Sequence, residues 1–250
     1  MEPHQLTPVL AIERLSKRYG QITVADEVSF EVARGECLGV IGPNGAGKTS
    51  VFNLIDGSVS PNKGRILLDG RDVTGRPKHA RARLGMARAY QVPQPFPDLS
   101  TFENVLVSAT FGAGLSGIEA TAAAQDMVRR TGLWDKREIL AGALPLLDRK
   151  RLELARALAS APRLLLLDEI AGGLTQLEVG ELVELIRAIK PTVATVWIEH
   201  VTYALAAVAD RLLALNFGRV IAEGEPDAVM SSQPVQDVYL GTVLDAPAAD

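Results

Sequence analysis

The stretch Leu38-Gly-Val-Ile-Gly-Pro-Asn-Gly-Ala-Gly-Lys-Thr-Ser50 constrains the fold of this chain most. An apolar run rich in β-formers passes directly into a glycine loop and then into a helix-forming segment. Residues Gly42, Pro43, Asn44, Gly45, Ala46, Gly47, Lys48 and Thr49, followed by Ser50, fit the pattern G-x-x-x-x-G-K-[ST]. Gly42, Gly45 and Gly47 let the backbone turn tightly and aim N–H groups at an anion. The next helix adds its positive N-terminal end. Lys48 supplies a point charge for outer phosphates, and the Thr49 hydroxyl a ligand for Mg²⁺. A glycine-rich turn with a chance lysine is the plain alternative. The strand before and the helix after favour nucleotide binding.

A chain of 250 residues with 47% hydrophobic and 22% charged residues can build one large domain. The net charge of −4 argues against a nucleic-acid partner. One cysteine, Cys37, cannot form an internal disulfide and reads as buried packing in a reducing compartment. No apolar run approaches the roughly 18 residues of a membrane span, and the N-terminus lacks a signal-peptide pattern. A cytoplasmic protein is expected.

Strands are expected at 9–19, 22–32, 36–41 and 64–68, each bounded by turn residues. Residues 96–160 change character, with helical patterns at 105–111, 118–131 and 149–159. Two continuous apolar strands follow, at 163–168 and 192–199, as a sheet covered on both faces requires. Helices at 177–189 and 202–209 accompany them, and edge strands are expected at 211–215 and 219–222. The expected architecture is α/β, one domain over 1–250: a core from 9–95 and 161–240, a helical insert at 96–160, and a flexible tail at 243–250.

The run Arg163-Leu-Leu-Leu-Leu-Asp-Glu169 delivers carboxylates to the sheet edge where open α/β sheets bind ligands. Asp168 is placed to hold Mg²⁺ through water and Glu169 to polarise the attacking water. On its own the same pattern is a strand exposing two solvated acids.

The order of these motifs resembles ABC-type ATPases over roughly residues 9–240. The resemblance implies a P-loop NTPase core with an antiparallel β subdomain, an inserted α-helical subdomain, and Mg²⁺-dependent ATP hydrolysis. It implies that Tyr19 stacks on adenine, that Gln91 touches Mg²⁺ and the attacking water, and that His200 contacts the γ-phosphate. Alone, Tyr19 would be an ordinary strand-end tyrosine. The segments Gly85–Gln91, Phe102–Val107, Arg151–Arg156, Trp197–His200 and Val238–Gly241 resemble ATP-binding subunits of branched-chain amino acid importers, and such subunits also resemble those of lipopolysaccharide export. The implied partners are membrane-spanning permease subunits at the inner face of the plasma membrane, a second ATP-binding subunit and, indirectly, a periplasmic or extracellular solute-binding protein. A soluble ABC-type ATPase with an assembly or regulatory role is the alternative.

The pattern breaks at the family signature Leu-Ser-Gly-Gly-Gln, where this chain reads Leu144-Pro-Leu-Leu-Asp148. Pro145 has neither hydroxyl nor backbone N–H, and Leu147 puts bulk where close backbone approach is wanted. Asp148 adds negative charge beside a triphosphate unless it points away. A helix is expected to begin at Asp148 or Arg149. Ile170 and Thr175 replace the family's proline and aspartate. Because such dimers assemble head to tail, the losses favour a heterodimer with a partner bearing a complete signature. The basic run Arg76, Lys78, His79, Arg81, Arg83 and Arg88 reads as a solvated face.

Overall fold

The computed structural model describes residues 7–244. The strands β1 (Leu10–Tyr19), β2 (Ile22–Val32), β4 (Lys63–Leu68) and the short β5 (Arg71–Asp72) form an antiparallel sheet in the order β2-β1-β4-β5. A second sheet contains β3 (Cys37–Ile41), β6 (Met86–Ala89), β7 (Leu164–Asp168), β8 (Ala194–Ile198), β9 (Arg211–Asn216) and β10 (Arg219–Gly224). Its order is β10-β9-β3-β8-β7-β6, parallel except for β10.

Helix α1 (Lys48–Ile55) follows β3, and α2 (Lys78–Arg83) precedes β6. The insert carries α3 (Thr101–Phe111), α4 (Gly117–Arg130) and α5 (Leu146–Ala159). Helices α6 (Gln176–Ile189) and α7 (Thr202–Val208) flank β8, and α8 (Pro226–Met230) and α9 (Gln233–Leu244) close the chain. Among the described residues no helix is long and apolar enough to cross a membrane. Of the tail expected at 243–250, positions 243 and 244 belong to α9 and the remainder lies outside the described residues.

The period of two along each strand explains how the central sheet is sandwiched. Leu38 and Val40 of β3, with Leu164 and Leu166 of β7, face α1 and the antiparallel sheet. Leu165 and Leu167 of β7, with Trp197 of β8, pack on the other side against Leu182, Val183 and Ile186 of α6. A third apolar cluster joins α3, α4 and α5 through Val105, Ala124, Val128 and Leu152. Helix α3 starts earlier than its apolar pattern predicts. Ser100 accepts the Glu103 N–H while Glu103 accepts the Ser100 N–H, a capping box worth about 1 kcal/mol.

Several expectations are corrected. The sequence reading places no element over residues 78–89, where α2 and β6 stand, nor at α8 and α9. Four-residue β6 carries a charge at Arg88, which hides its burial from a pattern search. Strand β9 is not an edge strand: it pairs in parallel with β3, and only β10 lies outside it. The basic run is not one solvated face. Arg81 is buried and donates to the carbonyls of Leu54, Ile55, Thr74 and Arg76. It thereby satisfies the last turn of α1, where a cation also complements the helix dipole.

Replacing Arg81 with methionine leaves the buried Leu54 and Ile55 carbonyls without that donor. A loss of about 3 kcal/mol in unfolding free energy is expected. Arg83→Met, at an exposed position of the same helix, should stay within about 0.5 kcal/mol of the parent in urea titrations followed by circular dichroism.

Candidate functional site

Parallel pairing brings four strand ends to one edge. Val40 is level with Ile198, and Ile198 with Asp168. The loop after β3, Glu199-His200 after β8, Asp168-Glu169 at the end of β7 and Gln91 after β6 therefore meet on the carboxyl edge of the sheet, the ligand-binding edge of open α/β folds.

The glycine loop holds its shape for reasons the pattern shows only in part. A Cβ on Gly42 would lie 2.2 Å from the Leu215 carbonyl oxygen, and one on Gly47 2.4 Å from that of Val24. These glycines are required by contact with the protein's own backbone. Gly45, at φ +81°, faces open space and is required by conformation alone. Pro43 accepts the Ala46 N–H at 3.2 Å to close the turn, and Asn44 is exposed. Lys48 folds back along the loop, donating to the carbonyls of Gly42 at 2.7 Å and Pro43 at 3.0 Å. Burial pushes its pKa down, against the opposing pull of Glu169 and Asp168. Thr49 is exposed and Ser50 half-buried in the first turn of α1.

Glu169 is the centre of a hydrogen-bonded trio. Gln91 Nε2 donates to its Oε2 at 2.7 Å, and His200 Nε2 meets its Oε1 at 2.8 Å. Its backbone adopts φ +47°, rare for a residue with a side chain, which turns the chain sharply off β7. Buried Glu199 steadies the neighbouring loop by accepting the Ala171 N–H at 2.6 Å and the His200 N–H at 3.2 Å. Tyr19 is not joined to this network among the described residues. It closes β1 of the other sheet, 52% exposed, with the Lys17 ammonium 5.0 Å from its ring centre.

Arg88, expected as part of a solvated basic face, is instead buried within the site. Its side chain is only 6% exposed and bridges Asp168 to Asp56 and Asn53, the latter two at 2.8 Å. Burial alone would lower the Arg88 pKa, but Asp168 and Asp56 hold it above its ordinary value. Position offers the available signal: Arg88 lies on a strand three residues before Gln91. Tyr239 of α9 is a second such residue, hydrogen-bonded to the backbone of Gly42.

Where the signature is lost, the geometry is specific. Helix α5 starts at Leu146, earlier than expected, with Pro145 at the N-cap. Pro145 is tolerated there because an N-cap needs no donor of its own. Asp148 is 2% exposed, paired with Lys136 and, at 3.7 Å, with Arg151. It turns inward, so the expected charge conflict with a triphosphate does not arise. Leu146, 39% exposed, lies over Gly173, whose added Cβ would sit 3.2 Å from Leu146 Cδ2. Ile170 is core, and Thr175 caps α6 through a capping box with Glu178.

The available donors suit a hard cation. Thr49 offers a hydroxyl, Gln91 an amide oxygen and Asp168 a carboxylate. Among the described residues no cluster of His, Cys, Asp and Glu forms a metal cage. That combination fits Mg²⁺, which keeps water and phosphate oxygens and takes few protein ligands.

A family model described as ABC transporter matches residues 25–172. The chain belongs to this family. As an ABC transporter ATP-binding subunit it is 35% identical over 237 residues to the lipopolysaccharide export system ATP-binding protein LptB of Acidithiobacillus ferridurans, covering 94% of this chain and 98% of that one. It is 33% identical over 250 residues to the high-affinity branched-chain amino acid transport ATP-binding protein BraF of Pseudomonas aeruginosa, covering 94% and 98%. A crystal structure of the ADP conformation of MJ1267, an ATP-binding cassette of an ABC transporter, matches with TM-score 0.83 at 25% identity, covering 94% of this chain and 99% of that one. Membership in the family implies ATP binding and hydrolysis.

Lys48 makes a testable link between burial and ligand. A triphosphate beside it raises the pKa that burial has lowered, so binding ATP in alkaline buffer takes up protons. Calorimetry in two buffers of different ionisation enthalpy should show this uptake for the parent chain. Lys48→Met should abolish it and weaken binding at least tenfold; an unchanged buffer dependence assigns the proton elsewhere.

Proposed function

We propose that this chain is the Mg²⁺-dependent ATPase of an ABC importer for branched-chain amino acids or similar small polar solutes. The observation that carries the ATPase reading is the trio at the sheet edge, Gln91 and His200 both on the Glu169 carboxylate, beside the Lys48 loop. Importer identity rests on the likeness to BraF together with the segments around Gln91 and His200. The likeness to LptB supports lipopolysaccharide export as a second reading.

In this reading the loop amides and Lys48 cradle the phosphates, and Tyr19 stacks on the adenine. Thr49, Asp168 and Gln91 would hold Mg²⁺, which would supply charge neutralisation at the phosphate oxygens. Phosphoryl transfer asks chiefly for positioning and charge stabilisation. Glu169 accepts the proton of the attacking water once that water replaces one of its present partners. His200 is then released toward the terminal phosphate, and Arg88 keeps the Asp168 carboxylate in one orientation.

The opposing face of the chain presents Pro145 and Leu146 where a partner's terminal phosphate would be met. Removing one aimed donor costs about 10²–10³ in rate. We infer a heterodimer, with a productive site built on this chain's Lys48 loop and completed by a partner's intact signature. Permease subunits would hold the pair at the inner face of the plasma membrane.

Steady-state ATPase measurements test this directly. The triple variant Pro145→Ser, Leu146→Gly, Leu147→Gly should raise turnover of the isolated chain at least tenfold, with Glu169→Gln as the inactive control. Asp148 is left in place because its inward ion pair supports the helix. Equal rates for parent and variant would remove the case for the heterodimer. Uptake of labelled leucine by vesicles carrying the native complex, and none of lipopolysaccharide, separates the two transport readings.

A further inference from the structure

The segment after β6 has an unusual supply problem. Pro93, Pro95 and Pro97 remove every second backbone donor from 93 to 97. The loop therefore cannot satisfy itself through a strand ladder, and its remaining polar groups need partners from elsewhere. One end is met by Asn104, which accepts the Phe96 N–H at 2.8 Å and donates to the Phe96 carbonyl at 3.0 Å. The other end, which contains Gln91, is met by helix α5.

Three charged residues spaced three apart on α5 reach that backbone. Lys150, buried, donates to the Gln91 carbonyl. Glu153, also buried, pairs with Arg156, and the nearby Tyr90 and Gln94 backbone N–H groups oppose the upward push that burial gives its pKa. Arg156 donates to the Gln94 carbonyl at 2.8 Å and to Glu153 at 3.1 Å, with its guanidinium 5.2 Å from the centre of the Phe96 ring. Burying a lysine and a glutamate is costly unless each is paired or hydrogen-bonded. Lys150 is spent on holding the main chain of that loop, and Glu153 on holding Arg156 against it.

We propose that Lys150, Glu153 and Arg156 form a clamp of positioning residues that sets the backbone of Tyr90–Gln94, and through the Gln91 side chain the placement of the Glu169 carboxylate. The first turn of the same helix carries Leu146, on the face assigned to the partner subunit. A shift of α5 on docking is thus transmitted to Gln91 by hydrogen bonds to backbone, independently of the loop's side chains. The proposal deepens the reading of Glu169 as the group that activates water, and rests on it for the effect on turnover.

The test uses the full chain, both as the parent and with the signature restored. Hydrogen exchange over residues 88–97 reads the clamp without reference to catalysis. In Glu153→Ala the Tyr90 and Gln94 amides should exchange at least tenfold faster, and Glu153→Gln, which keeps an acceptor, should recover most of the protection. Turnover should fall about tenfold in Glu153→Ala and Lys150→Met with the KM for ATP within twofold, because the Lys48 loop is untouched. Should Glu153→Ala fail to fold, Lys150→Met and Arg156→Lys carry the same two readouts. Unchanged exchange in the folded variants, or unchanged kcat while Glu169→Gln is inactive, overturns the clamp. Persistent turnover in Glu169→Gln overturns the assignment of Glu169 instead, and leaves the exchange result to judge the mechanical half.

Discussion

Strand β3 runs through the middle of the central sheet, paired in parallel with β8 on one side and β9 on the other. The placement of the site follows from that pairing. Because β3 is buried on both faces, a slip of one residue would turn each side chain to the opposite face, and the register is strongly specified. The register sets where the glycine loop leaves the sheet. It also sets which residues of β7 and β8 lie level with it, bringing Asp168 and His200 to the same edge although distant in sequence.

The second constraint is electrostatic. Two buried aspartates, Asp56 at the end of α1 and Asp168 at the end of β7, share Arg88. Removing one partner of such a group strands a buried charge, typically at about 3–5 kcal/mol. The guanidinium suits the role because it remains protonated and presents several donors in a fixed fork. Burial would raise the Asp56 pKa, but hydrogen bonds from Ser58 and Arg88 outweigh it and hold the carboxyl below its usual value. Arg88 thus joins the helix after the glycine loop to the strand that delivers Asp168 and Glu169. The Arg81 side chain performs a related task at the carbonyl end of α1.

The two ends of α5 differ in what they have kept. Its first turn has lost the small, donor-rich residues of the family signature, and has gained an apolar contact between Leu146 and Gly173 and an inward ion pair at Asp148. Further along, Lys150 and Arg156 bond to the backbone of the loop bearing Gln91, and Glu153 holds Arg156. Under the proposed function, a chain that keeps Gln91, Glu169 and His200 together but lacks the signature residues would form one half of an unequal pair.

Much of this architecture is written in local pattern. The glycine loop between an apolar strand and a helix, the apolar runs of β7 and β8, and the helical insert are consequences of period and turn chemistry acting over a few residues. Lys48, Asp168 and Glu169 could be named from their places at strand ends, and Gln91 and His200 from the resemblance to ABC-type ATPases. What local pattern could not supply were the partners. Whether Arg88 is a surface charge or the bridge to Asp168, whether Asp148 faces a phosphate or Lys136, and whether Gly47 serves an anion or the carbonyl of Val24 depend on contacts between segments far apart in the chain. The sequence by itself determined the strongly patterned elements and the residue types at their ends, because these follow from short-range sterics and burial. Only the tertiary structure decided which charges are paired, because the cost of burying a charge depends on what the rest of the fold places beside it.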